Sequence, residues 1–253
     1  MDWGFKKSGL IALLLAAAAL SACTQIKDVA PNNANDSARI EAVGLLALHG
    51  RQASAIAQLQ VWAAAGRPVA QRELGLALAS IPEQAAQAGA WLEKAASAGD
   101  SEAQFQLAQA FYQASLGLKL DYAQAWNWYQ RAAGAGNAKA SFMLARMAKY
   151  GEGVAPDLKR SASWLLEASL QGNAQAMFLL SNAYAAGEGV EQDPRLAREW
   201  LERSAAGDFP VAIQALAMSL ESGGQHGERD PVRARHLLKE ATDERSMRWN
   251  NYQ

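Results

Sequence analysis

The sequence predicts an all-α protein, built as a solenoid of stacked antiparallel helix pairs. Three observations predict it. Tryptophans recur at Trp91, Trp128, Trp164 and Trp200, spaced 37, 36 and 36 residues apart, and Leu237 takes the same slot 37 residues on. Twelve residues after each tryptophan stands an alanine (Ala103, Ala140, Ala176, Ala212), and four further on a leucine (Leu107, Leu144, Leu180, Leu216). An aspartate recurs in phase at Asp121, Asp157, Asp193 and Asp230. A period in this range is the signature of a repeat array, in which a short helix pair buries its apolar face only by stacking on its neighbours.

The elements follow in order. Residues 1–22 read as a secretory leader: Lys6 and Lys7 precede the apolar run Leu10–Leu20, eleven residues long. A helix crossing a bilayer needs about 20. The run ends in Leu20-Ser21-Ala22-Cys23, which resembles a bacterial lipobox. That resemblance implies cleavage before Cys23, a diacylglyceryl thioether on its sulfur and acylation of its freed amine. Several acyl chains make a stable anchor. Thr24 stands where an aspartate would mark retention in the inner membrane, which favours the outer membrane, facing the periplasm. Residues 23–36 are polar, with one proline and three asparagines, and read as a lipid-anchored flexible tether.

Residues 37–67 read as an N-terminal helical pair, a degenerate repeat or cap. The array proper spans 68–243, with Ala70 and Leu74 extending the alanine and leucine slots upstream. One unit shows the logic. Ala174–Ala186 is apolar at helical spacing, and Gly187-Glu188-Gly189-Val190 breaks it. Asp193 is placed to cap the next helix, with Pro194 at its first position. Gly207 is expected to close that helix in left-handed conformation. The periodic tryptophans and leucines are assigned to the core. Residues 244–253 form a polar tail, in which Trp249 and Tyr252 either cap the last helix or dock a partner.

The pattern Ala-x-x-x-Leu-(Gly/Ala), Gly-x-Gly-Val, Asp, then Ala-x-x-Trp-x-x-(Lys/Arg)-Ala-Ala-x-x-Gly resembles Sel1-like repeats, relatives of tetratricopeptide repeats. Residues 140–172 match best, through Ala140, Leu144, Gly151-Glu152-Gly153-Val154, Asp157, Trp164 and Gly172. Upstream, Ala114-Ser115-Leu116-Gly117 stands in place of the glycine loop. The resemblance implies a right-handed solenoid and an adaptor that holds other proteins together, in bacteria often in envelope assembly or exopolysaccharide secretion. The cysteine-rich branch of the family is a poor match, because Cys23 is the single cysteine.

Composition excludes several classes. Basic and acidic side chains number 24 and 25, so a nucleic-acid binder that neutralises many phosphates is not expected. One cysteine and three scattered histidines (His49, His226, His236) offer no metal site, and none is expected. No Ser-x-x-Lys, Gly-x-Ser-x-Gly or His-Glu-x-x-His occurs, so no enzyme, cofactor or small-molecule substrate is expected. Glu152 and Glu188 occupy equivalent loops and read as solvated; the periodic aspartates read as caps.

What remains is surface. Tyr112, Tyr122, Trp126, Tyr129 and Tyr150 fall off the periodic tryptophan slot and cluster in the middle of the array. Tyrosine and tryptophan are favoured interface anchors, so these five are the candidate partner-binding surface. The leading functional expectation is an outer-membrane-anchored periplasmic scaffold for envelope proteins, serving a secretion or exopolysaccharide export system. The alternative is a regulator of a periplasmic cell-wall or polysaccharide enzyme. An enzyme or saccharide-binding module ranks third.

Overall fold

The computed structural model describes residues 34–50, 52–223 and 229–239, and among these there are helices and no strands. Two helices open the described chain, α1 (Ala34–Gly50) and α2 (Ala53–Ala64). Helix pairs follow: α3 (Pro68–Ala79) with α4 (Ala85–Ser97), α5 (Ser101–Gln113) with α6 (Tyr122–Gly134), α7 (Ala138–Tyr150) with α8 (Leu158–Leu170), and α9 (Ala174–Ala186) with α10 (Pro194–Ala206). The last pair is α11 (Pro210–Ser222) with α12, residues 231–239. From α3 to α10 each helix packs most closely on its partner within the pair, and the next closest packing joins the second helix of one pair to the first helix of the following pair. The leader, Cys23, His226 and the tail with Trp249 and Tyr252 lie outside the described residues. Helix α1 begins at Ala34, so the end of the stretch read as tether is helical.

The alanine and leucine slots make the spine. Ala70, Ala103, Ala140, Ala176 and Ala212, and Leu74, Leu107, Leu144, Leu180 and Leu216, are all at most 3% exposed. Alanine brings neighbouring helices close and the leucine one turn later fills the space between them. Gln71 and Gln104, one residue after the alanine, donate to the carbonyls of Ala63 and Ala96 at 3.2 and 3.1 Å. Each reaches eight residues back, to the last turn of the preceding helix. Those carbonyls also accept from the Gly66 and Gly99 amides of the turn that closes each helix, so the glutamine is a second donor that ties the next helix to that turn.

Capping sets the boundaries. The Oδ1 atoms of Asp121, Asp157 and Asp230 accept from the backbone amides of Gln124, Arg160 and Arg233 at 2.9, 3.0 and 2.9 Å, and Asp193 accepts from Arg195 and Leu196. The first helices of the pairs have caps the periodicity did not reveal: Asp100, Asn137 and Asn173 on α5, α7 and α9. α3 and α11 lack such a cap and carry proline at the first position instead.

The loops after α5, α7 and α9 need unusual backbone. Gly153 lies so close to the Tyr122 carbonyl that a Cβ would collide with it, and Gly189 meets the Leu158 carbonyl in the same way. In the α5–α6 loop non-glycine residues take the corresponding positions: Ala114 and Leu116 adopt φ of 54° and 56°, and Gly117 follows at 75°.

Two expectations are corrected. Gly207 is not left-handed (φ −87°); that conformation falls to Asp208, at φ 58°. α10 ends in register with α8, so Gly207 takes the slot of Gln171, and Asp208 that of the left-handed Gly172. The periodic tryptophans are not uniformly core: Trp200 is buried, whereas Trp91, Trp128 and Trp164 are half-buried. The residue that follows each of these three, Leu92, Tyr129 or Leu165, faces inward. Three of the four periodic rings have a cation one turn on lying over them: Lys94 over Trp91, Arg131 over Trp128 and Arg203 over Trp200, at 4.1, 4.5 and 4.6 Å.

At the N-terminal end, Arg72 ties elements together. Its guanidinium meets Glu41 of α1 at 2.7 Å, Glu73 at 2.9 Å and Asp100 at 2.9 Å. Burial pushes the Glu73 carboxyl above its usual range, opposed by the adjacent Arg72.

Candidate functional site

The middle of the array contains two equivalent seams with different contents. At the first, α5, α6 and α7 meet. Trp126 is 5% exposed and Tyr129 is fully buried; they share one cluster with Phe105, Leu144 and Met147. Both were read from sequence as partner-binding surface, and both belong to the core. The reason is register: with α6 turned so that Ala125, Ala132 and Ala133 face inward, positions 126 and 129 share that face.

Tyr112 and Tyr122 are half-buried against the same cluster, with ring centres 5.2 Å apart. Tyr112 Oη donates to Glu152 Oε2 at 2.8 Å, and Arg146 Nη2 lies 3.5 Å from that hydroxyl. Burial and the Glu152 carboxylate push the Tyr112 hydroxyl up to about 12. The Tyr129 hydroxyl, raised chiefly by burial, finds no hydrogen-bond partner among the described residues. Of the five candidate residues, Tyr150 alone is broadly exposed, at 64%.

At the second seam, where α7, α8 and α9 meet, a cavity of about 300 Å³ opens. Ala145, Ala162, Leu165, Leu179 and Ala183 supply its apolar wall, and Arg146, Lys149, Tyr150, Asn182 and Glu188 its polar edge. Lys149 Nζ pairs with Glu188 Oε1 at 2.6 Å. Glu188 thus repeats the position of Glu152, and Lys149 that of Tyr112; neither glutamate is simply solvated. Arg146 forms no ion pair among the described residues. The cavity joins one candidate residue, Tyr150, to a set that sequence analysis did not single out. A signal existed: aligning Trp164 with Trp128 places Ala162 where Trp126 stands.

Among the described residues no group of three His, Cys, Asp or Glu side chains could hold a metal ion. No described helix is long and apolar enough to cross a membrane. The arrangement suits recognition: a concave apolar floor with a few polar groups at its rim.

Comparison with known proteins gives the family. The Sel1 repeat model matches residues 68–100, 101–137, 138–173, 174–209 and 210–246, one match per helix pair from α3 to α12. The fold is similar to the crystal structure of c5321, a protective antigen present in uropathogenic Escherichia coli strains. The TM-score is 0.71 and the identity 26%, over 82% of this chain and 46% of that one, so the chain spans about half of that relative. It is also similar to a Sel1 repeat protein from Oxalobacter formigenes, with a TM-score of 0.68 and 25% identity over 91% of this chain and 94% of that one. A search among curated proteins gives no significant match.

Proposed function

The chain belongs to the Sel1 repeat family, and from that premise we propose that it is a lipid-anchored scaffold for proteins of the bacterial envelope. Sel1 repeat proteins are typically non-catalytic interaction scaffolds. The observation that carries the proposal here is the cavity at the α7–α8–α9 seam, an apolar floor with Arg146, which forms no ion pair among the described residues, at its edge. The anchor rests on Leu20-Ser21-Ala22-Cys23 after an apolar run. Lipidation at Cys23 would hold the array at the periplasmic face of the outer membrane and raise its effective concentration toward partners there. A secretion or polysaccharide-export assembly is the kind of machine such a scaffold serves.

Crosslinking in intact cells, membrane purification and mass spectrometry test this, with Cys23→Ala as control. One dominant envelope protein, recovered less from the Cys23→Ala strain, is the expected result. Recovery of no specific protein over repeated trials overturns the scaffold. Normal incorporation of labelled fatty acid into the Cys23→Ala protein overturns the anchor.

A further inference from the structure

The two central seams are built from equivalent positions, and they differ in bulk. Moving from the α5–α6–α7 seam to the α7–α8–α9 seam, Tyr122 becomes Leu158, Trp126 becomes Ala162, Tyr129 becomes Leu165 and Met147 becomes Ala183. Every one of these changes removes an aromatic ring or shortens the side chain. At the first seam the four side chains fill one cluster; at the second, the four replacements line the 300 Å³ cavity. The cavity is therefore the space that the protein fills with its own aromatic rings one repeat earlier.

We propose that this cavity receives an aromatic side chain, tryptophan or tyrosine, from a partner protein, with a carboxylate beside that residue in the partner's sequence pairing with Arg146. The proposal rests on the scaffold function above and names the chemistry of its partner. The ring is argued from the filled seam, where this same arrangement of three helices closes around Trp126 and Tyr129. The carboxylate is argued from charge. Lys149 is neutralised by Glu188, whereas Arg146 at the same rim forms no ion pair among the described residues: it contacts the Met143 sulfur at 3.8 Å and donates at 3.5 Å to the Tyr112 hydroxyl, which stands between it and Glu152. A cation at the edge of an apolar pocket favours an anion over a second cation. Tyr150, exposed at the mouth, lies where it would cover the inserted ring. A ring buried in a pocket with a charge pair at its rim is the usual form of a binding hot spot.

The test uses the full chain and a defined probe, the peptide acetyl-Gly-Asp-Trp-Asp-Gly-amide. Its analogues replace the tryptophan by alanine or both aspartates by asparagine. Binding is read from shifts of the Ala162 and Ala183 methyl resonances. The tryptophan peptide should shift both and bind at least about tenfold more tightly than either analogue. Ala162→Trp, which copies the filled seam, should keep the fold and lose the tryptophan peptide by at least about tenfold. Leu165→Tyr fills the same space from another position and decides the matter if Ala162→Trp does not fold. Arg146→Gln should abolish the preference for aspartate over asparagine.

Equal binding of the tryptophan and alanine peptides overturns the proposal, as does unchanged affinity in a folded, filled variant. A Trp249→Ala variant that binds the peptide tenfold better would make the chain's own tail the occupant, and would overturn the partner assignment. The underlying function fails separately. If crosslinking recovers the same partner from the Ala162→Trp strain, the cavity assignment falls and the scaffold stands. If it recovers none from the wild type, the scaffold falls.

Discussion

Tyr112 Oη donates a 2.8 Å hydrogen bond to Glu152 Oε2 across the boundary between two repeats. One repeat later the pair is rebuilt with different chemistry, Lys149 to Glu188 at 2.6 Å. In both cases the glutamate of a glycine loop reaches back to the last turn of the first helix in the preceding repeat. The loop therefore holds successive pairs together, in an array where each repeat is stabilised mainly by its neighbours.

Breaking the first of these contacts should be measurable. Tyr112→Phe removes a hydrogen bond to a charged acceptor at a half-buried site and should cost about 1–2 kcal/mol in denaturant unfolding. The wild-type hydroxyl is raised from its ordinary 10.0 to about 12. A raised group contributes stability that is fully present below its unfolded value and is lost as pH rises through its folded one. The difference between wild type and Tyr112→Phe should hold up to pH 10.0 and shrink toward pH 12. A difference that stays constant across that window would mean that the Tyr112 hydroxyl ionises at the same pH folded and unfolded, so that the contact with Glu152 does not raise it.

The two tryptophans of the middle seams should behave in opposite order to their sequence slots. Trp126→Ala removes a ring that is 5% exposed and should cost about 3–5 kcal/mol. Trp164→Ala, at the periodic position but half-buried, should cost less. Equal losses in chemical denaturation would contradict the seam geometry.

Arg72 is 12% exposed at its side chain and faces three carboxylates, of which Asp100 is 7% and Glu73 12% exposed. Arg72→Met leaves the two buried acids uncompensated and should cost about 3–5 kcal/mol near neutral pH. Without the guanidinium, nothing opposes the burial that already raises the Glu73 carboxyl, so the variant should regain stability as pH falls and that carboxyl protonates. A penalty that does not change between pH 7 and pH 4 would show that packing of the arginine stem, not charge, is what was lost.

The α5–α6 loop stores strain that a single change should release. Ala114 sits at φ 54°, where Gly151 and Gly187 stand in the next two repeats. Ala114→Gly removes a Cβ from that conformation, and the gain, about 1–2 kcal/mol from relief, is partly offset by the added freedom of glycine in the unfolded chain. Thermal unfolding should show a modest rise in Tm; a fall would mean that the entropy term wins.

The repeats were legible in the sequence because their signals are local and recur. Ala140 with Leu144 and Ala176 with Leu180 mark inward faces by helical spacing alone. Asp121, Asp157, Asp193 and Asp230 cap their helices because the aspartate carboxylate reaches the free amides two or three residues on, whatever surrounds it. The end of α10 was less legible. Gly207 and Asp208 both suit a helix end, and packing register, not residue type, chose which one turned left-handed.

The sequence by itself determined the helix pairs, their period, the aspartate caps of the second helices and the family, since each rests on short local patterns that recur. Tertiary structure alone decided which aromatics were surface. Trp126 and Tyr129 look like a binding cluster until α6 is set against α5 and α7, and then they fill the space between them. The same packing opens a cavity one repeat later, because Ala162 and Leu165 are too small for an equivalent space. A vacancy between three helices belongs to no one segment, and it exists only once all three are in place.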